Sequence, residues 1–327
     1  MKVCVVGAGA IGGFIGTRLA AARHAEVSAL ARGPTLAALN AHGWRLRCAD
    51  GTVLTAPAVA AADPSALGVQ DVIIIAVKGP ALPALAPTLA PLIGPSTLIV
   101  PAMNGVPWWF VGAIAELGPE PLASVDPGGV IAASIPLRQV IGCVVHASTG
   151  TEAPGFATHR TGQGLILGEV GGGDSARVGG VAELLARAGF ELTCSPRVRY
   201  DIWYKLWGNM TANPVSAITG ATMDRVLDDE LVRKLCTDAM REASAIGDRI
   251  GCGIDQTPAD RHVITRRLGA FRTSMLQDAE AGRPLELDSI VGAVREIGAR
   301  VGVPTPTIDV IFGLARLFGR VRGLYPG

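Results

Sequence analysis

Val3-Cys4-Val5-Val6-Gly7-Ala8-Gly9-Ala10-Ile11-Gly12 is the stretch that decides how this chain is read. An apolar run of strand character enters a G-x-G-x-x-G turn, and helix-compatible sequence follows as far as Arg23. Gly7 lets the chain turn tightly, Gly9 lets backbone N–H groups approach a pyrophosphate, and Gly12 lets the helix pack closely on the strand. The unpaired amides and the macrodipole at the start of that helix favour an anion. In a chain with 42 glycines among 327 residues the motif alone is weak. Its context strengthens it: a strand before, a helix after, and a second apolar run in Val27-Ser28-Ala29-Leu30. Dinucleotide binding is therefore expected at Gly7, Gly9, Ala10, Ile11 and Gly12.

The end of the second strand bears on which dinucleotide. An NAD-binding unit usually places an acid there, on the ribose 2′-hydroxyl. This chain has Leu30-Ala31-Arg32-Gly33-Pro34-Thr35, with no Asp or Glu. A guanidinium offers a planar fork of donors to a 2′-phosphate, so the expected cofactor is NADP(H). The alternative is an arginine that merely caps a surface strand.

Length, charge and composition exclude several classes. A chain of 327 residues suits two domains. A formal net charge of +1 gives no field to draw nucleic acid or an anionic membrane. Hydrophobic residues make up 49% and mean hydropathy is +0.38. Yet the long uncharged stretch from Gly79 to Ala115 is broken by seven prolines, from Pro80 to Pro107, too many for a lipid-exposed helix. Lys2, an apolar stretch and Ala20-Ala21-Ala22 have the outline of a secretory leader, but five glycines between Gly7 and Gly16 would weaken its helix. The chain reads as mature from its start and cytoplasmic. Its six cysteines form no C-x-x-C pair and read as small core residues, and its five histidines have no metal-ligand spacing. No metal is expected.

Strand-like runs at Val3–Val6, Val27–Leu30, Val72–Val77, Leu98–Val100, Val140–Val145 and Leu165–Leu167, several separated by helix-compatible segments, predict an α/β fold with a parallel sheet. Val72 to Val77 is apolar throughout, as a central strand covered on both faces should be. From about Pro196 helical patterns take over, for instance Asp228 to Gly247 and Asp288 to Val301. The expected division is a Rossmann-type dinucleotide-binding domain over 1–195 and an all-helical domain over 196–327, with Gly171-Gly172-Gly173-Asp174 as a loop in the first.

Three clusters carry potential chemistry. Lys205, Asn209 and Asn213 are four apart in Tyr204–Pro214 and line one face of a helix, with Leu206 and Met210 toward a neighbouring face. Polar groups on so apolar a segment cost free energy unless a ligand or each other satisfies them; the bland reading is a solvated edge capped by Pro214. Ser274-Met275-Leu276-Gln277-Asp278 and Leu285-Glu286-Leu287-Asp288 follow. Glu286 is either a helix-start acid or a functional group, and Asp288 reads as structural. Asn104, in Pro101–Pro107 directly after a strand, and Lys78, ending the central strand, fall where open α/β sheets bind ligands. Either could equally serve an ordinary turn.

Together these residues resemble the ketopantoate reductases (2-dehydropantoate 2-reductases), NADPH-dependent enzymes of pantothenate synthesis. The likeness spans nearly the whole chain. It rests on Gly7–Gly12, Arg32, Ala76-Val77-Lys78, Asn104-Gly105, Lys205–Asn209 with Asn213-Pro214, Ser274–Asp278 and Glu286-Leu287-Asp288. The resemblance implies a Rossmann domain followed by a helical domain. It makes Lys205 the catalytic lysine, with Glu286 as a catalytic-site acid that helps bind substrate. Asn209, Asn213, Ser274 and Asn104 become substrate-binding residues, Asn104 also facing the nicotinamide. Arg32 takes the 2′-phosphate, and Lys78 is a cofactor-side lysine. The partner is a small keto acid, and the chain is a monomer or a homodimer.

The sequence departs from that pattern at Pro107, followed by Trp108-Trp109-Phe110. Three adjacent aromatics either reshape the cleft mouth or pack a helix into the core, and packing is favoured. Arg272 and Arg283 are candidates for a substrate carboxylate, although exposed arginines are the commoner case. Two rival readings stand beside reduction of 2-dehydropantoate: reduction of another 2-keto or 3-keto acid on the same fold, and a non-catalytic NADPH-binding sensor.

Overall fold

The computed structural model describes residues 1–327, Ala113 by its backbone alone. By contacts the chain divides into two units: Met1–Asn104 with Gly129–Asp201, and Gly105–Gly128 with Ile202–Gly327. The expected boundary at 195/196 differs from this in two places. The break falls within a helix a few residues later, and 105–128, expected in the first domain, belongs to the second unit.

In the first unit the opening apolar run forms β1 (Lys2–Val6), and the glycine turn leads into α1 (Ala10–Ala22). There follow β2 (Glu26–Leu30), α2 (Gly33–His42), β3 (Trp44–Arg47), β4 (Val53–Ala56), β5 (Val59–Ala61), β6 (Gln70–Ile75), α3 (Leu82–Leu85) and β7 (Ile93–Pro101). After the excursion come α4 (Val130–Ser134), β8 (Ile141–Ala153), β9 (Phe156–Glu169), α5 (Ala176–Ala186) and β10 (Glu191–Cys194).

Strands β5-β2-β1-β6-β7 form an all-parallel sheet. Val3 to Val6 and Val72 to Ile75 are all buried, the continuous apolar pattern of strands covered on both faces. The runs at Val140–Val145 and Leu165–Leu167 are not part of this parallel sheet. They belong to β8 and β9, a long antiparallel pair in a second sheet ordered β10-β9-β3-β4. That correction has a physical cause: an apolar run of six does not reveal its pairing direction, which here is set by the short turn at Pro154-Gly155.

Helix α1 packs against both sheets, and glycine makes that possible. A methyl group at Gly12 would lie 1.9 Å from the Gly7 carbonyl oxygen. On another face, one at Gly16 would collide with the indole of Trp44 on β3. The helix is buried from Gly12 to Thr17, and Phe14, Ile15 and Leu19 join a core with Val3, Val5, Trp44, Leu46, Leu165 and Leu167.

The second unit is helical throughout among the described residues: α6 (Val198–Thr219), α7 (Met223–Asp228), α8 (Glu230–Arg249), α9 (Pro258–Arg266), α10 (Ser274–Glu280), a π turn at Asp288–Gly292, α11 (Ala293–Arg300) and α12 (Pro306–Val321). The pattern expected as one helix from Asp228 is broken at Asp229. Its carboxylate accepts the amides of Leu231 and Val232 and so starts a new helix. Glu296 on α11 accepts the Ala123 and Ser124 amides and the Ser124 hydroxyl, at 2.9, 2.9 and 2.7 Å. Arg300 donates to the carbonyls of Leu117, Glu120 and Pro121. These bonds tie segment 105–128 to the helical unit.

No helix is long and apolar enough to cross a membrane, and no group of acidic, His or Cys side chains among the described residues could hold a metal ion. Cys4, Cys143, Cys236 and Cys252 are buried as expected, and burial pushes the Cys4 and Cys236 thiols up to about 11. Cys194, by contrast, is exposed on β10.

Candidate active site

The carboxyl edge of the parallel sheet collects the expected cofactor residues in one row. Arg32 follows β2, Gly7–Gly12 follows β1, Lys78 follows β6 and Asn104 follows β7. The strand order makes this row contiguous, Arg32 at one end and Asn104 at the other, across three inter-strand steps or ~14 Å. At its centre, Gly7 has φ +90°, and its amide donates to Leu30 O at 3.0 Å while Ala76 N donates to Val6 O at 2.9 Å. A Cβ at Gly7 would lie 2.6 Å from Val77 Cγ1, so the crossing is closed to larger residues. Gly9 is the opposite case: it is exposed, nothing lies within 4 Å of where its Cβ would be, and no side chain caps the helix there. The first amides of α1 thus face open space, which is the fit a pyrophosphate requires.

Arg32 is exposed and extended at the start of α2, and its side chain makes no hydrogen bond among the described residues. Lys78 is exposed at the start of a single 3-10 turn, Gly79–Ala81. Asn104 is half-buried. Gly105 has φ +83°, and a methyl group on it would strike Ser289 of the π turn. Val106 N donates to Ser289 O at 2.8 Å. The Asn-Gly pair is therefore fixed by a close approach that no periodicity in the sequence signals.

In the second unit, α6 carries the polar ladder. Two tryptophans one turn apart anchor it: Trp203 Nε1 donates to Ala243 O at 3.3 Å and Trp207 Nε1 to Met240 O at 2.7 Å, both on α8. With those indoles, Leu206 and Met210 buried, Lys205 and Asn209 lie half-buried on a different face. Pro214 does not end the helix, which continues to Thr219. Lacking an N–H, it leaves out the helical bond to the Met210 carbonyl. Just before it, Asn213 is 4% exposed and its Nδ2 has no hydrogen-bond partner among the described residues. An unpaired buried amide costs about 1–3 kcal/mol. The reading of the ladder as a solvated edge therefore fails at Asn213.

Ser274 is exposed as the first residue of α10, whose N-terminus is capped by the buried Thr273 through the Leu276 amide. Glu286, 7% exposed, sits between the buried Leu285 and Leu287 just ahead of the π turn. π turns inside helices recur at functional sites. Leu285 N is held by Leu324 O at 2.9 Å. Asp288 accepts the Tyr325 hydroxyl at 2.6 Å, consistent with a structural role. Burial holds its carboxyl above the usual range against that hydrogen bond, and pushes the Tyr325 hydroxyl up to about 12.

Neither arginine considered for a substrate carboxylate is uncommitted. Arg283 donates to Asp278 Oδ1 at 2.9 Å, and Arg272 pairs with Glu280. The aromatic trio packs: Trp108, Trp109 and Phe110 are buried, and Phe110 stacks on Trp203 with centroids 6.1 Å apart. Sequence reasoning did miss Arg261 on α9. Its guanidinium lies over the Tyr204 ring, 4.7 Å from the centroid, and against Gly208, so the glycine beside Lys205 is a seat for it.

A family model described as ketopantoate reductase PanE/ApbA matches residues 3–172, and its C-terminal counterpart matches 197–318. A 2-dehydropantoate 2-reductase of Mesorhizobium japonicum is 42% identical over 330 residues, covering 99% of this chain and 100% of the relative. A crystal structure from Ralstonia solanacearum MolK2 is 55% identical, covers 99% of both chains and superposes with a TM-score of 0.95. A D-mandelate dehydrogenase in a ternary structure with NADH and anilino(oxo)acetate is 20% identical over 99% of this chain and 100% of that one, with a TM-score of 0.85; it shares the fold. These matches define an α/β oxidoreductase with a helical second unit. The chain belongs to the ketopantoate reductase family. As a member it is an oxidoreductase acting on CH–OH groups.

Proposed function

We propose that this protein is an NADPH-dependent 2-dehydropantoate 2-reductase that produces pantoate in pantothenate biosynthesis, with the first unit as the nucleotide-binding part and the helical second unit as the substrate-binding part. The observation that carries the reading is the α6 ladder: a lysine and two amides on one helical face, ending in a buried amide whose donor group has no partner among the described residues. A ketone or hydroxyl oxygen is the ligand such donors fit.

When bound, the nicotinamide supplies the hydride. Negative charge then develops on the substrate carbonyl oxygen, and the Lys205 ammonium stabilises it and delivers a proton from Nζ to that oxygen. Asn209 fixes the carbonyl, and the Asn213 amide and Ser274 hydroxyl bind the substrate's polar groups. Glu286 holds a substrate hydroxyl or orients Lys205. On the cofactor side, Gly7–Gly12 cradle the pyrophosphate and Arg32 forks onto the 2′-phosphate. Lys78 would contact the dinucleotide, and Asn104 would meet its nicotinamide end. The absence of an acid after β2 supports NADP(H) over NAD(H).

The test is NADPH consumption with 2-dehydropantoate by the native protein, Lys205→Ala and Arg32→Ala, with NADH as control. Turnover that prefers NADPH, falls at least about 100-fold in Lys205→Ala and loses its NADPH preference in Arg32→Ala supports the reading in full. Turnover of a different keto acid alone would overturn the substrate. Tight NADPH binding with no turnover on any keto acid would favour the sensor.

A further inference from the structure

Arg261 on α9 brings a second cation to the helix that carries Lys205, and no carboxylate among the described residues receives it. Its guanidinium lies over the Tyr204 ring, and its Nε is buried with no hydrogen-bond partner among the described residues. The neighbouring groups are engaged elsewhere. Asp260 closes the capping box of α9, accepting the Thr257 amide at 3.0 Å and the Thr257 hydroxyl at 2.7 Å. Arg266, further along α9, has Asp228 as its counter-ion. The Tyr204 hydroxyl is turned to Gln256 Oε1 at 2.8 Å, which leaves the ring face for Arg261. A ring face attracts the charge, but it gives the planar fork of N–H groups no pair of oxygens. A guanidinium is always charged, and a charge removed from water is costly until it is paired. The place of this fork is set by Gly208. A Cβ there would lie 3.1 Å from Arg261 Nε and 3.2 Å from Nη2, so the guanidinium rests against the α6 backbone. Gly208 is three residues after Lys205 and directly before Asn209. Positions three apart are neighbours on a helix surface, about 5–6 Å between Cβ atoms. The fork therefore flanks the polar ladder, one helical step from the lysine. Glycine within a helix costs about 1 kcal/mol relative to alanine, and at 208 it opens the space that Arg261 fills.

We propose that Arg261 is the anchor for the substrate's carboxylate, its fork donating to the carboxylate oxygens while Lys205 meets the ketone oxygen of the same molecule. The proposal rests on the keto-acid reductase reading above and deepens it. It makes a free carboxylate part of what the enzyme selects, so that an ester or lactone bearing the same ketone is discriminated against. The selection comes from the guanidinium: a substrate without the carboxylate leaves it unpaired, and a group built to receive a polar partner rejects an analogue that lacks one. Arg272 and Arg283 cannot take this part without giving up Glu280 and Asp278.

Arg261→Gln in the full chain tests this, with 2-dehydropantoate and with its neutral lactone, which keeps the ketone and has no free carboxylate. For the acid, kcat/KM should fall at least about 100-fold, roughly 2.7 kcal/mol, with most of the loss in KM. For the lactone it should be unchanged, as should NADPH affinity. Gly208→Ala is the gentler variant: its methyl displaces the guanidinium and keeps the charge, so KM should rise for the acid and not for the lactone. Calorimetric titration of the NADP⁺-loaded protein with 2-dehydropantoate reads the anchor apart from turnover. Binding without reduction by the native protein, lost in Arg261→Gln, would overturn the reductase reading and uphold the anchor. Acid binding that survives Arg261→Gln would overturn the anchor alone. So would an equal loss on acid and lactone together with a lowered melting temperature, which would make Arg261 a packing residue of α6. A native protein that neither binds nor reduces a keto acid would overturn both.

Discussion

At the scale of single residues, Asn213 is a buried side chain at odds with the stability of its own fold. Its side-chain nitrogen is buried without a partner, so replacing it by an apolar residue of similar volume removes a desolvation penalty. Asn213→Leu should therefore raise the apparent stability of the ligand-free protein by about 1 kcal/mol while raising KM for the keto acid or abolishing turnover. Thermal melts beside steady-state kinetics check both. A variant that is less stable and fully active would show that the amide is a packing residue. Lys205 and Asn209 were legible from sequence because a helix repeats every 3.6 residues, so a four-residue spacing places side chains on one face. Arg261 was not, because its seat on Gly208 and Tyr204 joins positions far apart in the chain, and no local spacing records that.

Among the elements, the parallel sheet was the most legible. Strands buried on both faces leave uninterrupted apolar runs, and β1, β2 and β6 were readable within one or two residues. The second sheet was not, since β3, β4 and β10 are only four residues long and their pairing is set at a distance. The strapping of segment 105–128 by α11 was equally invisible, because it depends on one carboxylate. Burial alone would raise the Glu296 pKa from its ordinary 4.5, but the Ser124 hydroxyl, the amides of Ser124 and Ala123, and Arg300 outweigh burial and hold it lower. A depressed native pKa contributes stability that is complete above pH ~4.5 and lost as pH falls through the native value. Glu296→Gln should cost about 2 kcal/mol at pH 7. It should also flatten the decline in stability below pH ~4.5, as read in urea melts across pH 3–7. An unchanged pH profile would refute the assignment of the strap to the ionised carboxylate.

For the whole molecule, the two-unit plan followed from composition: apolar runs of strand character end near residue 195, and only helices are found beyond it. What composition could not show is that the chain leaves the first unit at Asn104, returns at Gly129 and leaves again after Asp201. Residues 1–195 expressed alone would carry Trp108, Trp109 and Phe110 without Trp203, Glu296 or Arg300 to receive them. Such a fragment should aggregate. A version in which 105–128 is replaced by a short flexible linker should remain soluble and keep NADPH affinity, as measured by fluorescence titration; a soluble, well-folded 1–195 would contradict this. The threading also bears on how such chains can be recombined. A crossover at the apparent domain border would separate an aromatic insert from the helices that house it, so exchange between relatives succeeds only if the insert travels with the far end of the gene.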